Sequence, residues 1–293
     1  FKFCWTPEGS NPGSEDMDAA KWKPNLKIGG LNLGSEPVID GYEGKSGAVW
    51  RVSKYFPVDD KECVDPSKVI DFTPRLRRPS TTDAPLAFSL PQGKWHLVRI
   101  GHTSTGHTNA TGGGGRGLEC DKFSAAAVDK QFDNWFAAIY RHAPIDVARK
   151  VLTRLHVDSW EAGSQNWSSN FMDEFKKRRG YDLKPWLLLY AGVPLKSSEE
   201  SEKVLRDIRL TIGDLVNDVF FSEVRRLADE YGVKLSTECV APTMVSDGLR
   251  HYQFADYPMG EFWLNSPTHD KPNDMLDAVS GAHIYNKNIV QAE

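Results

Sequence analysis

Three short apolar runs in this chain each end on a carboxylate. Leu155-His156-Val157 leads into Asp158-Ser159-Trp160-Glu161, Val233-Lys234-Leu235-Ser236-Thr237 into Glu238, and Ile289-Val290-Gln291-Ala292 into Glu293. Each run has strand length, and stretches of helical period lie between them. Strands alternating with long helical segments imply an α/β fold with a parallel sheet, because a crossover helix is what lays successive strands side by side in one direction.

The helical stretches carry their own start and stop signals. Ser124 can cap a helix whose Ala127, Val128, Phe132, Trp135, Phe136 and Ile139 share a face as far as Tyr140. A second helix is expected from Asn170 to Arg179, ending on a basic last turn and Gly180. Residues 199 to 230 form the longest helical stretch, interrupted at most once, with Val204, Ile208, Ile212, Leu215, Val216, Val219, Phe220 and Val224 in period. A final helix, Met275 to Tyr285, precedes Ile289. The strands are then 151–157, 233–237, a short one near 254–262, and 289–292.

Acids at strand ends, together with the absence of a phosphate-binding glycine fingerprint, favour a (β/α)8 TIM-like barrel over a dinucleotide fold, since barrel sites form at the C-terminal ends of the strands. About six or seven strands can be counted, so the barrel is expected to be incomplete at its C-terminal end. The chain reads as one barrel domain or a fragment of it over 1–293, with irregular N-terminal insertions. Residues 1 to about 50 are rich in Gly, Pro and Trp. An inserted subdomain is expected around 30–92, with apolar pieces near 47–72 split by Asp59-Asp60 and Asp65-Pro66 into candidate strands. Trp95 to His102 reads as a strand running into a Gly- and Thr-rich loop, 103–118, which is either a surface loop or a place where backbone approaches a ligand.

Charge and composition exclude several partners. With 40 acidic and 36 basic residues the net charge is -4, and no basic stripe of the kind that binds nucleic acid is present. No apolar run approaches the roughly 20 residues that span a bilayer. Four cysteines, at 4, 63, 120 and 239, lack the close pairing of a zinc or redox motif. The chain starts and stops abruptly and reads as part of a longer protein.

Acids beside indoles point to sugar chemistry. Glycosidic hydrolysis needs one protonated carboxylic acid and one carboxylate acting as base or nucleophile. Glu161 follows a strand end beside Trp160, where partial burial raises a carboxyl pKa; the alternative is a loop acid capping the helix that starts near Ser168 or Ser169. Asp158 can fix Glu161, hold a sugar hydroxyl or bind a cation. Glu238, Glu261 and Glu293 are the other strand-end acids, and Glu238 acts either as base or as support. His102 and His107 can meet sugar hydroxyls as neutral imidazoles or ligate a transition metal, while His156 reads as a core histidine. Trp160, Trp167, Trp263 and Tyr257 offer faces for stacking on a sugar, or serve as core packing. Clustered carboxylates also suit calcium, although no EF-hand loop is present.

Longer motifs carry a resemblance. Gly101-His102-Thr103-Ser104-Thr105-Gly106-His107-Thr108-Asn109, Gly117-Leu118-Glu119-Cys120-Asp121-Lys122, Asp158-Ser159-Trp160-Glu161 with Gln165-Asn166-Trp167, Arg178-Arg179-Gly180-Tyr181-Asp182, Pro258-Met259-Gly260-Glu261-Phe262-Trp263, and Ala282-His283-Ile284-Tyr285 with Ala292-Glu293 occur in consistent order over 95–293. Together they resemble glycoside hydrolase family 106, the calcium-associated, inverting α-L-rhamnosidases of bacterial polysaccharide breakdown. The resemblance implies a secreted or periplasmic enzyme of oligosaccharide or polysaccharide, with β-rich domains following the barrel and a first barrel strand near Phe3 to Gly13. It places the catalytic acid at Glu161, the base at Glu293 and a supporting glutamate at Glu261, with Glu261 and Asp158 as calcium ligands. The candidate substrate contacts are His102, His107, Asp158, Trp160, Asn166, Trp167, Glu238, Tyr257 and Trp263. The competing readings are a non-catalytic carbohydrate-binding fragment, a glycosidase of other sugar specificity, and a polysaccharide lyase or esterase; no GxSxG motif supports the esterase.

Overall fold

The computed structural model describes residues 2–5, 23–24, 59–76, 89–108, 113–158, 165–238, 246–261 and 272–293. Its centre is a parallel sheet of four strands in the order β4-β5-β6-β7: β4 (Arg154–Val157), β5 (Lys234–Thr237), β6 (Tyr257–Gly260) and β7 (Gln291–Ala292). Sequential strands lie next to each other, as repeated βα crossovers require. A separate antiparallel sheet, order β2-β1-β3, joins β1 (Lys2–Trp5), β2 (Lys23–Pro24) and β3 (Val98–Ile100). The expected barrel is therefore seen in part. Among the described residues the parallel sheet is an open set of four strands, and the strand expected near Phe3 pairs antiparallel instead of entering it.

Helices cover one face of the parallel sheet. Leu155 and Leu235 are register partners, and both are buried against α2 (Ala125–Asn134), α3 (Phe136–His142) and α7 (Ser222–Glu230) through Val128, Phe132, Phe136, Val224 and Leu227. Burying that apolar set stabilises the sheet by about 1.5–3 kcal/mol for each large side chain. Ser124 caps α2 by accepting from the Ala127 N–H, as its position before the apolar period predicts. The helix does not run unbroken to Tyr140: Trp135 leaves helical geometry at φ -114 and ψ -84, dividing α2 from α3. A further helix, α4 (Ile145–Val151), occupies the start of the stretch read as strand, so β4 begins at Arg154.

The second core packs α5 (Phe171–Arg179) against α6 (Ser198–Leu215) through Phe171, Phe175, Leu205, Ile208 and Leu215. Gly180 ends α5 at φ 83, the left-handed C-cap anticipated from its place after the basic turn. The long 199–230 helix has its one interruption at Val216–Phe221, a π-helical turn in which the buried Asn217 amide donates to the Gly213 carbonyl at 3.0 Å. The last helix, α8 (Pro272–Ile284), lies on β6 so closely that a Cβ at Gly260 would sit 2.6 Å from the Asp274 carbonyl oxygen.

The proposed insertion around 30–92 falls largely outside the described residues. Where it is described, it holds no strand pair of its own. Asp59 and Asp65 accept from the Lys61 and Ser67 N–H groups and cap two 3-10 turns, Asp60–Glu62 and Pro66–Lys68, which lead to the short α1 (Thr73–Leu76). Asp-rich breaks thus mark turn caps in this stretch, because a short acceptor side chain competes well for free N–H groups.

Candidate active site

All four parallel strands deliver an acid at their C-terminal ends: Asp158, Glu238, Glu261 and Glu293. Val157, Thr237 and Pro258 stand at one register level, and Gly260 pairs with Ala292. Asp158 and Glu238 therefore follow at the next level, with Glu261 and Glu293 two residues further along. Because side chains alternate along a strand, this spacing turns all four to the face opposite Leu155 and Leu235. Carboxylate oxygens of Glu238, Glu261 and Glu293 all lie within 4.8 Å of one another, and so do ligand atoms of His156, Asp158 and Glu238. Glu238 belongs to both groups. Beneath them, Arg154, His156, Ser236, Met259, Gln291 and Ala292 line a concavity of about 440 Å³.

Glu238 is the electrostatic centre of this arrangement. It is 1% exposed, and neither carboxylate oxygen accepts a hydrogen bond from a donor among the described residues. Burial pushes its carboxyl up to about 9, and the neighbouring carboxyls of Glu293 and Asp158 push the same way. A proton or a cation among three carboxyls this close relieves their mutual repulsion. Glu261 is buried as well, at 7% exposure, whereas Glu293 and Asp158 are open to solvent.

The backbone under the acids is held by residues that sequence reasoning missed. The fully buried His251 bonds through Nε2 to the Glu238 carbonyl at 2.7 Å, and since a carbonyl only accepts, Nε2 carries the proton. Burial pushes its imidazole down to about 4, which keeps the ring neutral. Asp256 accepts from the Leu235 N–H, Arg225 and Lys234 and fixes the start of β6 beside β5; against the upward push of burial, these bonds hold its carboxyl below the ordinary value. Neither stands at the C-terminal end of a strand, the place that exposed the others: His251 lies on a turn and Asp256 just before the start of β6.

Comparison with known proteins decides the family. The profile of glycoside hydrolase family 106, described as alpha-L-rhamnosidase, matches residues 13–293. The chain belongs to that family. A rhamnosidase of known structure from Novosphingobium sp. PP1Y superposes with a TM-score of 0.71 at 32% identity, covering 81% of this chain and 23% of that one. A protein of Formosa agariphila provisionally named a beta-glucuronidase is 35% identical over 210 residues, 71% of this chain and 18% of that protein. The chain thus spans less than a quarter of the length of either relative.

Within this family 106 chain, the structure brings Glu238, Glu261 and Glu293 together, with Asp158 and His156 joining at Glu238. Glu161, Trp160 and Trp263 lie outside the described residues. Residues 165–168, which follow 159–164 in the sequence, are clasped: Asp121 accepts from Gln165 Nε2 and Ser168 Oγ, both at 2.5 Å, and from the Phe123 N–H, while Gln165 accepts from the Lys122 N–H. Asn166 is buried in this clasp at 8% exposure, and the Trp167 ring packs on Phe171 and Tyr190, 5.1 and 5.8 Å between centroids. Tyr257 stands at the opposite end of β6 from Glu261, under the Arg154 guanidinium at 4.7 Å. His102 is exposed and His107 half-buried, on the loop that follows β3. His156 faces the acids with its Nδ1 2.7 Å from Ser236 Oγ, so it is exposed on the site face and not a core residue. The two expected calcium ligands fall in different groups, Glu261 with Glu293 and Asp158 with His156.

Proposed function

We propose that this chain carries the acidic side of the active site of an inverting glycosidase that removes terminal α-L-rhamnosyl groups from plant or microbial polysaccharide. The observation that carries the reading is the meeting of Glu238, Glu261 and Glu293 at the ends of neighbouring parallel strands in a family 106 chain. Glu161 protonates the leaving glycosidic oxygen, Glu293 takes a proton from the water attacking the opposite face of the sugar, and Glu261 supports the base. Inversion needs the acid and base carboxyls roughly 6.5–9.5 Å apart, leaving room for that water. Glu293 suits the base because it is open to solvent, where an attacking water can reach it, whereas Glu238 beside it is buried.

The donor set fits calcium, which takes several oxygen ligands in flexible geometry. Three carboxylates converge, and the buried oxygens of Glu238 lack a hydrogen-bond donor among the described residues. Glu261 and Asp158 would hold the ion, with Glu238 between them. When bound, calcium supplies positive charge and coordination sites for sugar hydroxyls. Among the described residues no helix is long and apolar enough to cross a membrane. A longer natural protein accords with the short share of each relative that the chain covers; its secreted or periplasmic place and its β-rich domains are what the family resemblance implies.

The name of the Formosa relative favours a second reading, a β-glucuronidase. Aryl α-L-rhamnoside and aryl β-D-glucuronide, offered to the full natural chain, separate the two. Release from the rhamnoside, with β-L-rhamnose as the first anomer seen by proton NMR, and a loss of roughly 10²–10⁴-fold in Glu293→Gln are expected. Cleavage of the glucuronide alone would transfer the site to the other sugar, and α-L-rhamnose as the first product would exclude inversion.

A further inference from the structure

One short turn, Arg250–Gln253, reaches three parts of the frame around the acids. Arg250 bridges Asp214 at 2.7 Å and Asp218 at 2.6 Å, and these two aspartates are also paired with Arg179 and Arg178. His251 donates to the main-chain carbonyl of Glu238. Tyr252 donates its hydroxyl to the carbonyl of Met259 at 2.7 Å, two residues before Glu261. Adjacent residues of one turn therefore hold the backbone of two different strand ends.

The turn is itself immobilised. His251 packs against the rings of Phe221 and Tyr252, with centroids 4.9 and 3.9 Å away, and both His251 and Tyr252 are fully buried. Gly281 of α8 is packed against the Tyr252 ring so tightly that a Cβ there would come within 2.5 Å of it. The sheet alone supplies less control at this point: among the described residues the β5–β6 pairing stops at Thr237 and Pro258, before either acid is reached.

We infer that Arg250, His251 and Tyr252 form a positioning element that sets the spacing between Glu238 and Glu261. None of the three is a catalytic residue in this role. The inference rests on the reading of Glu238, Glu261 and Glu293 as the site, and it adds how that site is kept in shape. Outer-shell partners of this kind hold ligands to the geometry a metal demands, and their loss usually costs roughly 10–100-fold in metal affinity or activity.

The test compares Tyr252→Phe, His251→Phe and His251→Gln in the full natural chain. Three quantities are measured: calcium affinity by titration calorimetry with the ion alone, kcat on an aryl α-L-rhamnoside, and the thermal midpoint. Tyr252→Phe and His251→Phe are expected to lower calcium affinity and kcat by about tenfold or more. His251→Gln, whose amide N–H can reach the same carbonyl, is expected to recover most of that loss. Calcium affinity and kcat within twofold of the native values in Tyr252→Phe, or a loss in His251→Phe that Gln does not relieve, would overturn the inference. Should His251→Phe fail to fold, Tyr252→Phe, which removes one oxygen atom, decides alone. Glu293→Gln run in parallel keeps the two readings apart. Native activity in that variant refutes the site itself, whereas its loss beside a native-like Tyr252→Phe refutes the positioning element alone.

Discussion

A carboxylate oxygen of the buried Glu238 lies within 4.8 Å of one of the exposed Glu293. The pair is asymmetric in its surroundings: Glu238, cut off from water, keeps its proton to about pH 9, while Glu293 is open to solvent.

That asymmetry fixes the sign of a pH effect in the metal-free protein. The folded Glu238 binds its proton more tightly than an unfolded carboxyl at 4.5, so the stabilisation is complete below about 4.5 and is lost as pH rises towards about 9. Scanning calorimetry in chelator from pH 5 to 9 should show a midpoint that falls with pH, with a flatter profile in Glu238→Gln. Added calcium should raise the midpoint most at the alkaline end, because the ion takes over the neutralising role. Identical profiles for native and Glu238→Gln would remove Glu238 from this role.

Glu161→Gln addresses the acid. Only protonation of the leaving oxygen is removed, so the loss should be large with a poor leaving group, roughly 10²–10⁴-fold, and much smaller with an activated aryl group that departs unaided. The check is kcat/KM across a series of aryl α-L-rhamnosides of graded leaving-group pKa. Equal losses along the series would mean that Glu161 does something other than donate a proton.

Much of this frame was legible in the sequence where a local rule decided the matter. The strand ends at Asp158, Glu238, Glu261 and Glu293 followed from short apolar runs closed by acids, and Ser124 and Gly180 marked helix ends through capping chemistry. What escaped depends on contacts between distant residues. Helix α4 has no strong cap signal, and its residues Ile145, Val147 and Val151 are exposed, so its apolar pattern is not that of a core-facing helix. His251 and Tyr252 matter through backbone carbonyls more than six residues away, which leave no trace in spacing. Trp167 shows the converse limit, since a tryptophan beside an acid motif reads alike whether its ring packs in a core or meets a sugar.

Gly260 gives a packing test next to the site. A methyl group there would meet the Asp274 carbonyl at 2.6 Å and Met275 Cα at 2.9 Å, both main-chain atoms of α8 that cannot rotate aside. Gly260→Ala should therefore push α8 off β6, costing roughly 1–3 kcal/mol, and displace Glu261, the very next residue. A lowered thermal midpoint together with weaker calcium binding is expected. A native midpoint would show that the helix moves more freely than this contact allows.

Asp121→Asn tests the clasp on residues 165–168. Asp121 gives both oxygens to three donors, Gln165 Nε2, Ser168 Oγ and the Phe123 N–H, and Gln165 is oriented in turn by the Lys122 N–H on its own carbonyl oxygen. Asparagine keeps the shape but replaces one acceptor by a donor. The Ser168 hydroxyl can turn round and accept, so the protein should fold with a loss of about 1–3 kcal/mol. Gln165 stands four residues after Glu161 in the sequence, so loosening the clasp should reach activity more strongly than stability. Each 1.4 kcal/mol of misplacement at the acid costs about tenfold in rate. The expected result is a fall in kcat/KM of about tenfold or more, steeper for poor leaving groups, as in Glu161→Gln. A fall that is equal for all leaving groups would assign the clasp to folding alone.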